Sequence, residues 1–182
     1  MNEQKVAIPT GISVLDRNVV AIPGTLNLIY GDTPLSSLFL QEIALTNLVL
    51  NDEMYIQVAE HRCEVWSTIP PSYDVLQPLN LMKISLPLKV KLLLLDGVPD
   101  DIRILKELAT ERDIVIWTSM VRRTHGTDKY ESMEIADSVL SVVRETSDLR
   151  SIRLSIVKNR YGSMETFYVD FWHLQKEEEK CR

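Results

Sequence analysis

The chain reads Leu26-Asn27-Leu28-Ile29-Tyr30-Gly31-Asp32-Thr33-Pro34-Leu35-Ser36-Ser37-Leu38 across the stretch that decides its fold. The first five residues are an apolar run of strand length, and residues 38–50 are apolar-rich and of helical length. Strand, glycine turn and helix is the setting of a phosphate-binding loop with the pattern G-x-x-x-x-G-K-[ST]. Gly31 holds the first glycine position. Ser36 stands in place of the second glycine, Ser37 in place of the lysine, and Leu38 in place of the hydroxyl. Each replacement removes a contact. The glycine lets backbone N–H groups curl around phosphate, the lysine reaches the outer phosphates, and the Ser/Thr oxygen holds magnesium. A leucine side chain cannot ligate a hard cation. The setting is kept and its chemistry is missing.

On the amino side, residues 1–9 form a short leader expected to add an edge strand. Thr10-Gly11-Ile12-Ser13-Val14-Leu15-Asp16 reads as a capped turn into a brief helix, and Ile22-Pro23-Gly24 as a turn. The helix after Gly31 is expected over about 36–50. Residues 54–58 make a second short strand ending at Glu60-His61-Arg62. Residues 63–80 read as irregular, because Pro70, Pro71 and Pro78 break any long helix. Residues 90–95 are an apolar strand ending in Asp96 and Gly97. Ile102, Leu105, Leu108 and Ala109 share one face of a helix predicted over 99–112. Residues 114–117 are another strand. The polar stretch 120–136, with Gly126 at its centre, predicts a mobile loop. Apolar runs at 139–143, 152–157 and 167–171 follow. The last two flank Asn159-Arg160-Tyr161-Gly162-Ser163 and predict an antiparallel hairpin.

Strands alternating with helices predict an α/β fold with a mostly parallel sheet and helices on both faces. Ligands of such sheets bind at the carboxyl ends of the strands. Those ends carry Gly31, Glu60, Asp96 and Thr118-Ser119. The length of 182 residues predicts one domain over 1–172, followed by a charged tail at 173–182 that frays. A net charge of -6 excludes a protein that coats nucleic acid by bulk electrostatics. Cys63 and Cys181 stand far apart, which suits free thiols in a reducing compartment. His61, His125 and His173 are scattered, so no metal site is assigned. Trp66, Trp117 and Trp172 read as packing residues. There is no signal peptide, and no apolar run approaches the roughly 20 residues of a membrane span. The expectation is a soluble, cytoplasmic protein with no membrane partner.

Together these segments resemble the RecA-like ATPases, especially the archaeal RadA, KaiC and DnaB-helicase branch. Thr10-Gly11-Ile12 with Leu15-Asp16 is similar to that family's T-G-(I/F)-x-x-L-D entry. Pro23-Gly24-Thr25-Leu26 with Tyr30-Gly31 is similar to its approach to the phosphate loop, and residues 92–96 to its Walker B strand. Ala136-Asp137-Ser138-Val139 and Lys158-Asn159-Arg160-Tyr161-Gly162 are similar to the later signatures A-D-x-V and K-N-R-x-G. The likeness runs from about residue 10 to 171. It implies a RecA-like three-layer core that ends in an antiparallel hairpin.

The resemblance also implies roles. Asp96 corresponds to the Walker B aspartate that positions magnesium, and Glu60 roughly to the glutamate that orients the attacking water. Gly31, Ser36, Ser37, Leu38, Glu60 and Asp96 then make a vestigial nucleotide site. Lys158 and Arg160 correspond to residues that relatives extend across a subunit interface toward a neighbour's γ-phosphate. Arg122, Arg123 and Lys129 lie where relatives place DNA-contacting loops, but Asp128, Glu131 and Glu134 offset them and leave a weak nucleic-acid signal. Each has a plainer reading beside it: a carboxylate capping a turn, solvated charges on a hairpin bend, a polar loop. The departure at the phosphate loop sets the functional expectation. That is a non-catalytic accessory or regulatory subunit of an active RecA-family ATPase, in DNA recombination or repair. It has no cofactor of its own, ATP and magnesium entering only through a divergent site or a partner's site. The implied partners are a RecA-family subunit or further copies of the chain. Two alternatives stay open: a divergent ATPase that holds nucleotide through backbone amides and serine hydroxyls, and a KaiC-type signalling scaffold without nucleic acid.

Overall fold

The computed structural model describes residues 6–31, 33–50, 54–59, 63–67, 91–97, 102–121, 128–145 and 151–170. Its strands are β1 (Leu26–Gly31), β2 (Met54–Ala59), β3 (Cys63–Ser67), β4 (Leu92–Asp96), β5 (Val115–Val121), β6 (Ser138–Arg144), β7 (Ser151–Asn159) and β8 (Thr166–Asp170). Its helices are α1 (Ser13–Asn18), α2 (Thr33–Leu50), α3 (Arg103–Arg112) and α4 (Asp128–Ile135). The strands form one sheet in the order β3-β2-β4-β5-β1-β6-β7-β8. From β2 to β6 the pairing is parallel. One antiparallel strand, β3, closes one side, and the β7–β8 hairpin extends the other. The mostly parallel sheet and the C-terminal hairpin match the sequence expectation.

The central strands are apolar on both faces because both faces are covered. Strand β4 shows the alternation. Leu92 and Leu94 join a core with Phe39, Leu40 and Ile43 of α2, while Leu93 and Leu95 join a second core with Leu105 and Ala109 of α3. In β5, Val115 and Trp117 face the α2 side and Ile116 the α3 side. Helix α2 buries Leu35, Phe39, Leu40, Ile43, Ala44 and Asn47, a stripe at helical spacing. Asn47 is satisfied there, its Nδ2 donating to Pro9 O at 2.7 Å and Ile43 O at 2.8 Å.

Four expectations are corrected. Residues 63–67, read as irregular, form β3, because their backbone pairs antiparallel with β2 from Met54–Ser67 to Val58–Cys63. The stretch 120–136 is not one loop: β5 continues to Val121, and 128–135 are helical. Partly buried Met133 and Ile135 pack that helix onto the α3-side core. Of the leader, residues 6–9 form no strand and 1–5 lie outside the described residues; Ile8 N donates to Ala21 O at 2.8 Å and Pro9 O accepts from Asn47, which ties it down. Helix α2 begins at Thr33, about three residues earlier than expected. Glu60, Arg122, Arg123, the 68–80 segment and the 173–182 tail lie outside the described residues.

Gly31 has a packing reason to be glycine. It pairs with Val142 in the β1–β6 ladder, and a Cβ built on it would stand 2.3 Å from the Val142 carbonyl oxygen. That neighbour is backbone and cannot swing away. Gly31→Ala is therefore expected to destabilise the fold by about 1–3 kcal/mol, the usual cost of overpacking. Urea unfolding of the two proteins checks this. An unchanged midpoint would leave the packing reason without support.

Candidate functional site

The carboxyl ends of β1, β4 and β5 meet on one rim, as the sequence predicts. Asp96 ends β4, and its Oδ1 accepts hydrogen bonds from two hydroxyls: Ser37 Oγ of α2, at 2.9 Å, and Ser119 Oγ of β5. The turn after β4 is tied to the same strand. Gly97 N donates to Ser119 Oγ at 2.9 Å, and Thr118 Oγ1 donates to Gly97 O at 2.9 Å. Gly97 takes φ 121°, which favours glycine. The structure thus brings Ser37, Asp96, Thr118 and Ser119 together. The role of Ser119 was not read from the sequence beyond its place on the rim. Ala59, the last residue of β2, pairs with Asp96.

These residues do not fit a nucleoside triphosphate with its magnesium. A phosphate cradle needs several residues of non-helical backbone with converging N–H groups. Here one residue separates the end of β1 from the start of α2, so 33–36, the positions of the spacer and second glycine, are already helical. Ser36 is buried at 1 % exposure. Leu38 offers no oxygen. The Ser37 hydroxyl sits on the carboxylate that would otherwise help to hold a hydrated ion.

A second polar cluster lies at the opposite rim, where β6 begins. Asp137 is 1 % exposed. Its Oδ2 accepts from Leu26 N at 2.9 Å and from Lys106 Nζ at 2.6 Å; its Oδ1 accepts from Arg160 Nη1 at 3.1 Å. Lys106 also donates to Gly24 O at 3.0 Å. Burial pushes the Asp137 carboxyl up, but the Lys106 ammonium, the Leu26 N–H and Arg160 outweigh it and hold it below its ordinary value. Arg160 is raised in return, chiefly by its bond to Asp137. Its guanidinium lies 5.9 Å from the centre of the Tyr161 ring.

Lys158 does different work. Its Nζ donates to Met133 O at 3.2 Å and Glu134 O at 2.6 Å, carbonyls of the last turn of α4 that have no partner within the helix. Burial lowers its pKa, with the nearby Asp137 charge opposing. Asn159 ties the hairpin turn to α1, donating to Asn18 O at 2.6 Å, and to Ser163 O at 3.0 Å. The two rims are five residues apart along β1, roughly 17 Å at strand rise. The turn at 158–160 therefore does not meet the Asp96 rim of its own chain. Lys129 lies within α4. Among the described residues, no group of three His, Cys, Asp or Glu comes together to hold a metal ion. None of the described helices is long and apolar enough to cross a membrane.

No protein-family model matches the chain, and no curated protein matches it. Solved structures do. A KaiC-like protein from the hyperthermophilic archaeon Pyrococcus horikoshii OT3 superposes with a TM-score of 0.64 at 15 % identity, covering 91 % of this chain and 95 % of that one. The flagellar accessory protein FlaH from Methanocaldococcus jannaschii gives 0.65 at 13 % identity, over 92 % and 95 %. A DnaB-like replicative helicase gives 0.60 at 14 % identity, over 93 % of this chain and 62 % of the helicase, so the chain spans only part of that protein. These superpositions extend over nearly the whole of the present chain, and its fold is that of the RecA-like ATPases.

Proposed function

We propose that this chain is a RecA-fold paralogue without an ATPase of its own, serving as an accessory or regulatory subunit of an active RecA-family ATPase in DNA recombination or repair. One observation carries the loss of activity: α2 starts at Thr33 and lays the Ser37 hydroxyl on Asp96, where a phosphate loop and its metal would need the space. Phosphoryl transfer rests almost wholly on positioning and charge stabilisation, so a site without the lysine, the hydroxyl ligand and the cradle has little left to accelerate it. The nucleic-acid setting is supported only by the company of the fold, which includes the replicative helicase. The purified chain is expected to show no MgATP turnover above background, and Asp96→Asn to match it. Steady turnover that Asp96→Asn abolishes overturns the reading.

A KaiC-type scaffold that works without nucleic acid is a second reading. The net charge of -6 favours it, and so does coverage of nearly the full length of a KaiC-like protein and of a flagellar accessory protein. Titration with single- and double-stranded DNA across a range of salt separates the two.

A further inference from the structure

The β7–β8 hairpin leaves an edge that invites another strand. Strand β8 pairs with β7 on one side, and among the described residues no strand pairs with its other side. Exposed edges are usually blunted by proline, by lysine or by an inward-facing charge. Thr166-Phe167-Tyr168-Val169-Asp170 has none of these except the acid at its end. Among the described residues, four of the six exposed large apolar side chains belong to this hairpin: Val157, Tyr161, Met164 and Tyr168. Of these, Tyr168 stands on the edge strand itself, while Val157, Tyr161 and Met164 lie on β7 or between the two strands.

We propose that β8 pairs antiparallel with β8 of a second copy, about a two-fold axis through Tyr168, and joins the two sheets into one. The strand is self-complementary in that register. Tyr168 falls opposite Tyr168 of the second copy, Phe167 opposite Val169, and Thr166 opposite Asp170. Phe167 and Val169 are partly buried against the α2-side core, so the pairing extends that apolar layer across the axis. Tyr168, at 66 % exposure, gains an aromatic cross-strand partner on the outer face. Charge selects the direction. Parallel in-register pairing would set the two acidic positions side by side, whereas antiparallel pairing carries them to opposite ends. An isologous contact of this kind closes at two copies and does not propagate. It stands apart from the accessory-subunit reading, since it uses neither the Asp96 rim nor the 158–160 turn.

The test is the mass of the full chain in solution, by light scattering behind size exclusion over a dilution series. The parent is expected to dimerise. Tyr168→Lys and Tyr168→Glu each place like charges on the axis and should raise the dissociation constant roughly tenfold or more. Both substitute an exposed side chain, and circular dichroism checks that each still folds. Mixing the two variants sets opposite charges across the axis and should restore the dimer as a heterodimer. Met164→Lys alters an equally exposed residue outside the strand and should leave dimerisation intact. A parent that stays monomeric overturns the proposal. So does a Tyr168→Lys protein that dimerises as the parent does, or a mixture that stays monomeric.

Discussion

Arg160→Ala is expected to abolish stimulation of a RecA-type partner's ATPase while leaving the chain folded and bound to that partner. An arginine supplied in trans is worth roughly 10³ to 10⁵ in rate, so the loss is large if Arg160 completes a neighbour's site. Its position suits such a role. The side chain is 63 % exposed, spends one guanidinium nitrogen on Asp137, and lies at the rim opposite Asp96. It is thus away from the Asp96 rim of its own chain, with most of its side chain open to solvent. Asp137 retains Lys106 and the Leu26 N–H when Arg160 is removed, so the buried carboxylate stays paired. Arg160→Lys keeps the charge and loses the planar fork, and should recover a small part of the stimulation. Lys158→Ala should cost less, because that ammonium is already engaged by the end of α4. The measurement is partner ATPase rate at saturating amounts of each variant, with association followed separately. If Arg160→Ala binds and stimulates as the parent does, the turn only braces the hairpin.

Much of the fold was legible because the central strands are buried on both faces and their sequences are nearly unbroken apolar runs. Leu92-Leu93-Leu94-Leu95 carries its position in its composition. The hairpin was legible from two alternating runs around Asn159-Arg160-Tyr161-Gly162-Ser163. Strand β3 was not. Cys63-Glu64-Val65-Trp66-Ser67 is short and mixed, and its state is set by the β2 backbone beside it. Helix α4 was missed because only part of it packs on the core, so its pattern is polar. At the Asp96 rim, the residues could be read but the start of α2 could not. The pattern G-x-x-x-x-G-K-[ST] fixes which chemistry is missing; it does not say that the remaining residues wind into helix. The Asp137 cluster was seen only as a signature. Its partners Leu26, Lys106 and Arg160 lie up to 111 positions away in the chain, and no local pattern announces them.

Asp137→Ala is expected to destabilise the fold by roughly 1–3 kcal/mol, the cost of leaving a buried donor without its acceptor. The carboxylate is 1 % exposed and joins four separate parts of the chain: the start of β1 through Leu26, α3 through Lys106, the start of β6 through its own backbone, and the hairpin turn through Arg160. Alanine leaves the Leu26 N–H and the Lys106 ammonium without that acceptor. Asp137→Asn keeps the shape and one acceptor oxygen but removes the charge, and it should show how the stabilisation depends on pH. The carboxyl titrates lower in the folded chain than in the unfolded one. Its contribution is therefore fully present above the unfolded value of about 4 and is lost as pH falls through the lower folded value. The stability gap between parent and Asp137→Asn, read from urea unfolding, should be widest near neutral pH and should close progressively below about pH 4. A gap that does not change with pH would mean that the charge on Asp137 does not hold these elements together, and that only its shape and hydrogen bonds do.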